Sequence, residues 1–265
     1  MRARWILFLL ALVTFPLQSQ AGRNCESVAP TTADLVRATH AAMALRDRLE
    51  GEQATLVLLG RVGADLSAYG LRYTHAGIAM RDHPDGRWLV RHLLNVCGTD
   101  RSSLHDQGLI SWFLDDLYAL DTLVVVPTAP VQHQLQRIAL TDIAVNLHQP
   151  RYSMIAHPFS TRYQNSNQWL LELIAVSLSP NAPGSREEAQ AYLRRTGYRP
   201  DRIEVPFLKR FGARLFSANI RFDDHDRIDP GERRLQVASV RSLVSYMRRK
   251  SLADRQFVVR APVPR

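Results

Sequence analysis

The chain has 265 residues, of which 46% are hydrophobic and 22% are charged. This composition is that of an ordinary globular protein and excludes a disordered or collagen-like chain, and the length allows one large domain or two small ones. The net charge of +9 is almost wholly due to arginine, because the only lysines are Lys209 and Lys250. The basic residues are scattered, without the aromatic-interleaved stripe of a nucleic-acid binder, so we expect no nucleic-acid partner.

The first 21 residues have the three parts of a secretory signal peptide. A basic start with Arg2 and Arg4 precedes an apolar segment over residues 5–15, and Ser19-Gln20-Ala21 fits a small-x-small cleavage site. The apolar segment is shorter than the about 20 residues of a membrane-spanning helix. We therefore predict cleavage after Ala21, export to the periplasm and no stable membrane span. An uncleaved anchor is the alternative.

Two cysteines, Cys25 and Cys97, remain after this cleavage. An even number in an exported chain is consistent with one disulfide, which would tie the new N-terminus to the end of a hairpin described below. Two unpaired thiols are the alternative, because the sequence gives no distance between the two residues.

The first half of the chain is predicted to mix helices and strands. These are a helix over 33–50 capped by Thr32, a strand over 54–59, hairpin strands over 71–80 and 88–94, a short helix over 108–118, a strand over 122–126 and a helix over 131–147. The two hairpin strands are apolar runs separated by a turn rich in Asp, Pro and Gly, which is typical of a β-hairpin.

The second half is predicted to begin with a strong helix that Asn165 and Ser166 open. It continues with a helix capped by Ser185, short strands around 203–205, 218–222 and 235–240, a polar loop over 223–231, a helix over 242–250 and a last strand over 257–260. No repeat or low-complexity linker divides the chain. We therefore predict one α+β domain over 22–265, with a core of about 31–180 and a C-terminal addition of about 185–265.

Three residues stand out as candidates for catalysis. His75 begins the first hairpin strand, His92 lies in the second, and Ser166 begins the strong helix. A nucleophile at a helix N-terminus gains from the positive end of the helix dipole, and a histidine on a neighbouring strand can serve as its base. A hydrogen-bonded core histidine and a plain N-cap serine are the alternative interpretation.

Other kinds of site find little support in the sequence. The acidic segment 223–229 lacks the glycine and the terminal glutamate of a calcium loop, so a solvated turn is the preferred interpretation. No pair of His and Cys residues has zinc-site spacing, and neither a glycine-rich phosphate loop nor a Gly-x-Ser-x-Gly elbow is present. We therefore predict no metal and no cofactor.

Three stretches carry a resemblance to known families: residues 74–79, residues 88–95 and residues 163–169. Through these stretches the chain resembles the bacterial domain-of-unknown-function family 2145. The resemblance covers nearly the whole mature chain. The same stretches are also similar to the permuted papain-like superfamily, which includes NlpC-like cell-wall peptidases and relatives of lecithin retinol acyltransferase. The resemblance implies a permuted papain-like core, in which an antiparallel sheet with the histidine hairpin packs on helices, with a C-terminal extension.

The same resemblance implies roles for the candidate residues. His75 would be the general base, His92 the group that orients it, and Ser166 would occupy the nucleophile position, which normally holds cysteine. Gln164 or Asn165 would donate to an oxyanion. A serine hydroxyl is far more basic than a thiol and depends on its base, so Ser166 is either a working nucleophile or the relic of a lost cysteine.

Two functions follow as expectations. One is an exported amidase, peptidase or acyltransferase that acts on a cell-wall peptide or an acyl-bearing substrate of the envelope. The other is a catalytically inactive relative that binds a peptide, a wall fragment or a protein partner. An exported domain without chemistry is the plainest interpretation of all.

Overall fold

The computed structural model describes residues 29–115, 117–179, 184–206, 217–231 and 233–261. The predicted signal peptide and Cys25 lie outside these residues. The described strands are β1 (Leu56–Val62), β2 (His75–His83), β3 (Gly86–Asn95), β4 (Ser102–Gln107), β5 (Ala119–Pro127), β6 (Asp201–Glu204), β7 (Arg234–Val237) and β8 (Ala253–Val259). The described helices are α1 (Thr32–Glu50), α2 (Leu109–Leu114), α3 (Ala129–Ala139), α4 (Asp142–Asn146), α5 (Ser166–Leu178), α6 (Arg186–Arg195), α7 (Asp223–Ile228) and α8 (Val240–Arg249).

Six of these strands form one sheet in the order β4-β3-β2-β1-β5-β8, and each described pair is antiparallel. Strands β6 and β7 form a separate antiparallel pair. The predicted α+β class is confirmed as a six-stranded antiparallel sheet packed with helices.

Alternate residues of the strands point to opposite faces of the sheet, because the side-chain period of a strand is two. On one face, even-numbered residues such as Ala76 and Ile78 join the apolar core that includes α3, α5 and α8. On the other face, odd-numbered residues of β1 and β2, such as Val57 and Ala79, pack with α1 and with Trp112 of α2. The sheet therefore separates two helical layers, called here the α5 face and the α2 face.

The predicted hairpin is confirmed as β2 and β3, which pair from His83↔Gly86 to Ile78↔Arg91. Pro84 and Asp85 form its two-residue turn. Gly86 follows the turn with a φ of 152°, a conformation that side chains with a Cβ rarely adopt. The turn therefore fixes the register of the two strands that carry His75 and His92.

Helix α1 begins one residue earlier than predicted. The cap is Thr31 and not Thr32, since the Thr31 hydroxyl accepts from the N–H of Asp34 at 3.2 Å while the Asp34 carboxylate accepts from the N–H of Thr31 at 2.9 Å. This capping box satisfies two backbone donors at the start of the helix. The apolar face of α1 is buried against the sheet as expected, through Ala38, Leu45 and Leu49.

The C-terminal part of the chain is interleaved with the first part. Strand β8 pairs with β5 at the edge of the large sheet, and α8 packs into the core on the α5 face. The predicted loop over 223–231 contains helix α7 instead, because the carboxylate of Asp224 accepts from the backbone N–H groups of His157 and His225 and anchors the segment. The predicted strand over 218–222 is irregular.

A buried ion pair fastens the segment that leads into α5. The guanidinium of Arg186 donates to both oxygens of Glu172, at 2.8 and 3.1 Å, and to the carbonyl oxygens of residues 160, 161 and 163. Both side chains are buried. Glu172 lies in α5, Arg186 begins α6, and the three carbonyl oxygens belong to the segment before Ser166. The pair therefore holds these three segments in one arrangement.

None of the helices in the described ranges combines the length and the apolar character that crossing a membrane requires.

Candidate functional site

The structure brings the two predicted histidines of the hairpin together. Nε2 of His75 lies 2.8 Å from Nδ1 of His92, and the two rings meet edge to face with centroids 5.0 Å apart. The pair is diagonal in the sheet, since the register Ile78↔Arg91, continued by one residue, sets Gly77 and not His75 opposite His92.

Gly77 makes this approach possible. A Cβ at position 77 would lie 2.8 Å from Cγ1 of Val90, 3.0 Å from Cβ of His92 and 3.1 Å from the carbonyl oxygen of Arg91. A side chain at this position would therefore push β3 away and move His92 from His75. The glycine is required by close packing and not by its backbone angles.

A third residue, Gln107 of β4, completes a chain of hydrogen bonds. Its Oε1 lies 3.0 Å from Nε2 of His92. An amide oxygen only accepts, so Nε2 of His92 donates, and the neutral ring must then accept at Nδ1 from the N–H of His75. This fixes both tautomers and puts the basic lone pair of His75 on Nδ1.

Gln107 is not predicted as a site residue from the sequence, because β4 has no apolar alternation. Its polar residues Ser103, His105 and Gln107 do recur at a spacing of two, which was the available signal for a strand with one polar face.

His92 is held in its neutral form. Its side chain is fully buried, and this burial, with a smaller effect of the Arg61 guanidinium, lowers the pKa of His92 from the ordinary 6.5 to about 3. A ring that stays neutral can orient His75 by accepting its N–H over the whole physiological pH range. His75 itself is only half-buried.

Trp112 and Arg61 close the site on the α2 face. The Trp112 ring centroid lies 5.6 Å from that of His75 and 5.2 Å from that of His92. The Arg61 guanidinium stacks on the indole at 4.5 Å, donates to the Trp112 carbonyl oxygen at 2.8 Å and pairs with Asp115 at 2.5 Å. These contacts exclude water from the inner part of the site and supply the positive charge that disfavours protonation of His92.

Ser166 lies on the other side of the sheet from the two imidazole rings. It is the first residue of α5, which packs on the α5 face, whereas His75 and His92 contact Trp112 on the α2 face. The start of α5 does reach the strand that carries His75. Asn167 accepts from the N–H of Ala76 at 3.0 Å and donates to the carbonyl oxygen of Thr74 at 3.1 Å.

The described contacts therefore join His75 to His92 and Gln107 but do not include a hydrogen bond between His75 and Ser166. Asn167, which the sequence analysis did not select, is the residue that connects the helix to the backbone on both sides of His75. Ser166 is buried beside this connection.

The two predicted oxyanion donors have structural partners. Gln164 is fully buried, donates to the Leu147 carbonyl oxygen at 2.9 Å and to Glu172 at 2.6 Å, and accepts from the N–H of Gln149 at 2.9 Å. Asn165 caps α5, since its side-chain oxygen accepts from the N–H of Gln168 at 2.8 Å. Both amides are thus committed to holding α5 and the segment before it, which leaves them unsuited to the oxyanion role.

The predicted disulfide stays a prediction. Cys25 lies outside the described residues, and no free cysteine is found among those that are described.

Within the described part of the chain, no group of three or more His, Cys, Asp and Glu side chains is arranged to hold a metal ion. The acidic residues of α7 are engaged otherwise: Asp224 binds backbone N–H groups, and Asp223 pairs with Arg162 at 2.8 Å.

Comparison with known proteins gives one match. Searches of curated proteins and of solved structures found nothing similar to this chain. The family described as "Uncharacterized protein conserved in bacteria (DUF2145)" matches residues 48–247, which include the histidine hairpin, β4 and the whole of α5. Because this match covers most of the sequence, the chain belongs to the DUF2145 family.

Proposed function

We propose that this protein hydrolyses an amide or an ester, or transfers its acyl group, with His75 as the general base. The observation that carries the proposal is the chain from Gln107 through His92 to His75. A base must keep one tautomer and one orientation, and a buried neutral imidazole that accepts its N–H supplies both. The permuted papain-like arrangement suggested by the sequence is part of the same proposal.

Ser166 is the proposed nucleophile. Its hydroxyl proton passes to Nδ1 of His75 while its oxygen attacks the carbonyl carbon, and the proton then passes to the leaving amine or alcohol. The backbone N–H groups of Ser166 and Asn167 at the start of α5 stabilise the oxyanion, since the N–H of Gln168 is already bound by Asn165. The described contacts hold no hydrogen bond between Ser166 and His75, and the labelling below tests whether the two residues act together.

A binding protein that has lost catalysis is the second candidate. It is favoured by Ser166 itself, which replaces the expected cysteine and lies across the sheet from His75, and by the structural engagement of Gln164 and Asn165. Such a protein recognises a peptide, a wall fragment or a partner in the bacterial envelope. The predicted signal peptide is the basis for placing either candidate there.

Covalent labelling distinguishes the two candidates. The mature protein is treated with a fluorophosphonate probe, which phosphonylates activated serines, and with an iodoacetamide probe, which alkylates thiolates. The variants are Ser166→Ala, Ser166→Cys, and Ser166→Cys combined with His75→Ala, and Ser177→Ala on the same helix is the matched control. A hydrolase is expected to show fluorophosphonate labelling that Ser166→Ala abolishes and Ser177→Ala keeps.

Two other results would point elsewhere. If the parent is unlabelled while Ser166→Cys is labelled in a manner that depends on His75, the base has survived and the nucleophile has been lost, which favours the binding protein. If neither the parent nor any of the variants is labelled by either probe, His75 and Ser166 do not form a site.

A further inference from the structure

A second concave site lies away from the histidine pair, between the segment before α5 and helix α7. It has a volume of about 510 Å³, and its wall includes Arg151, Ser160, Thr161, Arg162, Asp224 and Arg227. The proposed acyl chemistry gives no role to the three arginines around this cavity.

Two of the three arginines carry charge that the described carboxylates do not neutralise. Arg162 pairs with Asp223 at 2.8 Å. Within the described residues, Arg151 and Arg227 form no ion pair with a carboxylate, and both are exposed at the cavity. The cavity therefore presents two guanidinium groups to a solute.

The remaining acidic group of the wall does not offset this charge. Asp224 is buried and uses both oxygens to accept backbone N–H groups, from His157 at 2.8 Å and from His225 at 3.0 Å. Burial also raises the pKa of Asp224. The local charge at the cavity is thus positive.

Tyr163 orders two of the guanidinium groups before any ligand arrives. The carbon at the centre of the Arg151 guanidinium lies 5.0 Å from the Tyr163 ring centroid, and that of Arg162 lies 5.5 Å from it. Both arginines also donate to the Tyr163 hydroxyl, at 3.4 and 3.3 Å. Stacked guanidinium groups lose less freedom on binding, and their planar N–H groups match the oxygens of carboxylates and phosphates.

We infer that this cavity binds an oxyanion group, a carboxylate or a phosphate, of a small ligand. The guanidinium groups of Arg151 and Arg227 donate to its oxygens, and the hydroxyl groups of Ser160 and Thr161 lie at the same wall to donate further hydrogen bonds. The inference does not depend on the proposed acyl chemistry.

The test is an NMR titration of the mature protein with inorganic phosphate at constant ionic strength, following the arginine Nε–H resonances. Arg151→Gln and Arg227→Gln are the test variants. Arg137→Gln is the matched control, because Arg137 is an exposed arginine on α3 that does not line the cavity. We expect saturable binding by the parent and by Arg137→Gln with the same Kd, and a Kd raised about tenfold or more in each test variant.

Two outcomes would overturn the inference: no saturable shift in the parent with either phosphate or the carboxylate dipeptide described next, or a Kd that changes equally in Arg137→Gln and Arg227→Gln. Since Arg227 is exposed, its variant stays folded and keeps the test decisive even if Arg151→Gln is unstable. A second titration compares a dipeptide that has a free C-terminal carboxylate with the same dipeptide as its C-terminal amide. Binding of the carboxylate form alone identifies a carboxylate ligand, and binding of phosphate without it identifies a phosphate ligand; both support the site.

Discussion

Acidification should destabilise this protein through His92. Burial lowers the pKa of His92 to about 3 in the native state, whereas in the unfolded chain it has the ordinary value of 6.5. Below pH 6.5 the unfolded chain therefore binds a proton at His92 that the native state does not bind. The stabilisation due to neutral His92 is complete above pH 6.5 and is lost as the pH falls toward 3.

The size of this effect follows from the two pKa values. Each pH unit within the window lowers the free energy of unfolding by about 1.4 kcal/mol, so the loss from His92 between about pH 7.5 and about pH 4.0 is about 3 kcal/mol. Burial also lowers the pKa values of His148 and His157. These two shifts likewise reduce the free energy of unfolding as the pH falls. The parent should thus lose more than the contribution of His92 alone.

The difference between two proteins isolates the contribution of His92. Urea unfolding of the parent and of His92→Gln at the two pH values gives the free energy of unfolding of each. The free energy of unfolding of the parent minus that of His92→Gln should fall by about 3 kcal/mol between the higher and the lower pH. His133→Gln, which removes an exposed histidine of α3, is the control and should keep the pH dependence of the parent. An equal loss of stability by the parent and His92→Gln would refute the reasoning.

Three further substitutions test the packing around the site. Gly77→Ala should cost about 1–3 kcal/mol and shift the NMR signals of His92, because the added Cβ meets its Cβ at 3.0 Å. Arg186→Leu should cost about 3–5 kcal/mol in urea unfolding, since it leaves the carboxylate of Glu172 buried without its cation, and a double variant that also carries Glu172→Leu should lose less. Thr31→Ala should cost about 1 kcal/mol, measured in the same way, because it removes the capping box of α1.

Matched variants decide each of these three predictions. Gly108→Ala adds a Cβ where the structure has open space, so a loss equal to that of Gly77→Ala would argue against close packing as the cause. Arg195→Leu removes an exposed arginine of the same helix as Arg186, and a similar loss from both would contradict the role of the buried pair. Thr32→Ala should be nearly neutral; a larger loss than Thr31→Ala would mean that the cap is Thr32.

Local sequence signals predicted the parts of the fold that carry strong patterns. The hairpin was predicted because two apolar runs flank a Pro-Asp-Gly turn, and α5 because Asn165 caps a long apolar helix. The single helix predicted over 131–147 is two helices, α3 and α4. The hydroxyl of Thr141 accepts from the N–H of Ile143 at 3.3 Å and caps α4. A side chain that hydrogen-bonds to the backbone in this way competes with continuation of the first helix, and apolar periodicity does not reveal it.

The candidate site was predictable in part for a similar reason. The pairing of His75 with His92 follows from the hairpin register, which a turn of known length sets. The placement of Ser166 does not follow from any local pattern, because the sequence does not state which face of the sheet receives α5. Gln107 was missed because a polar edge strand gives no apolar signal.

The pairing of β5 with β8 has a consequence for how the chain folds. Strand β5 ends at Pro127 and its partner begins only at Ala253, so the sheet edge at β5 stays open until nearly all of the described chain has been made. Residues 124–126 of β5 form a continuous valine run, and an unpaired strand of this kind is prone to pair with another chain. We therefore expect slow completion of the sheet, dominated by this long-range closure.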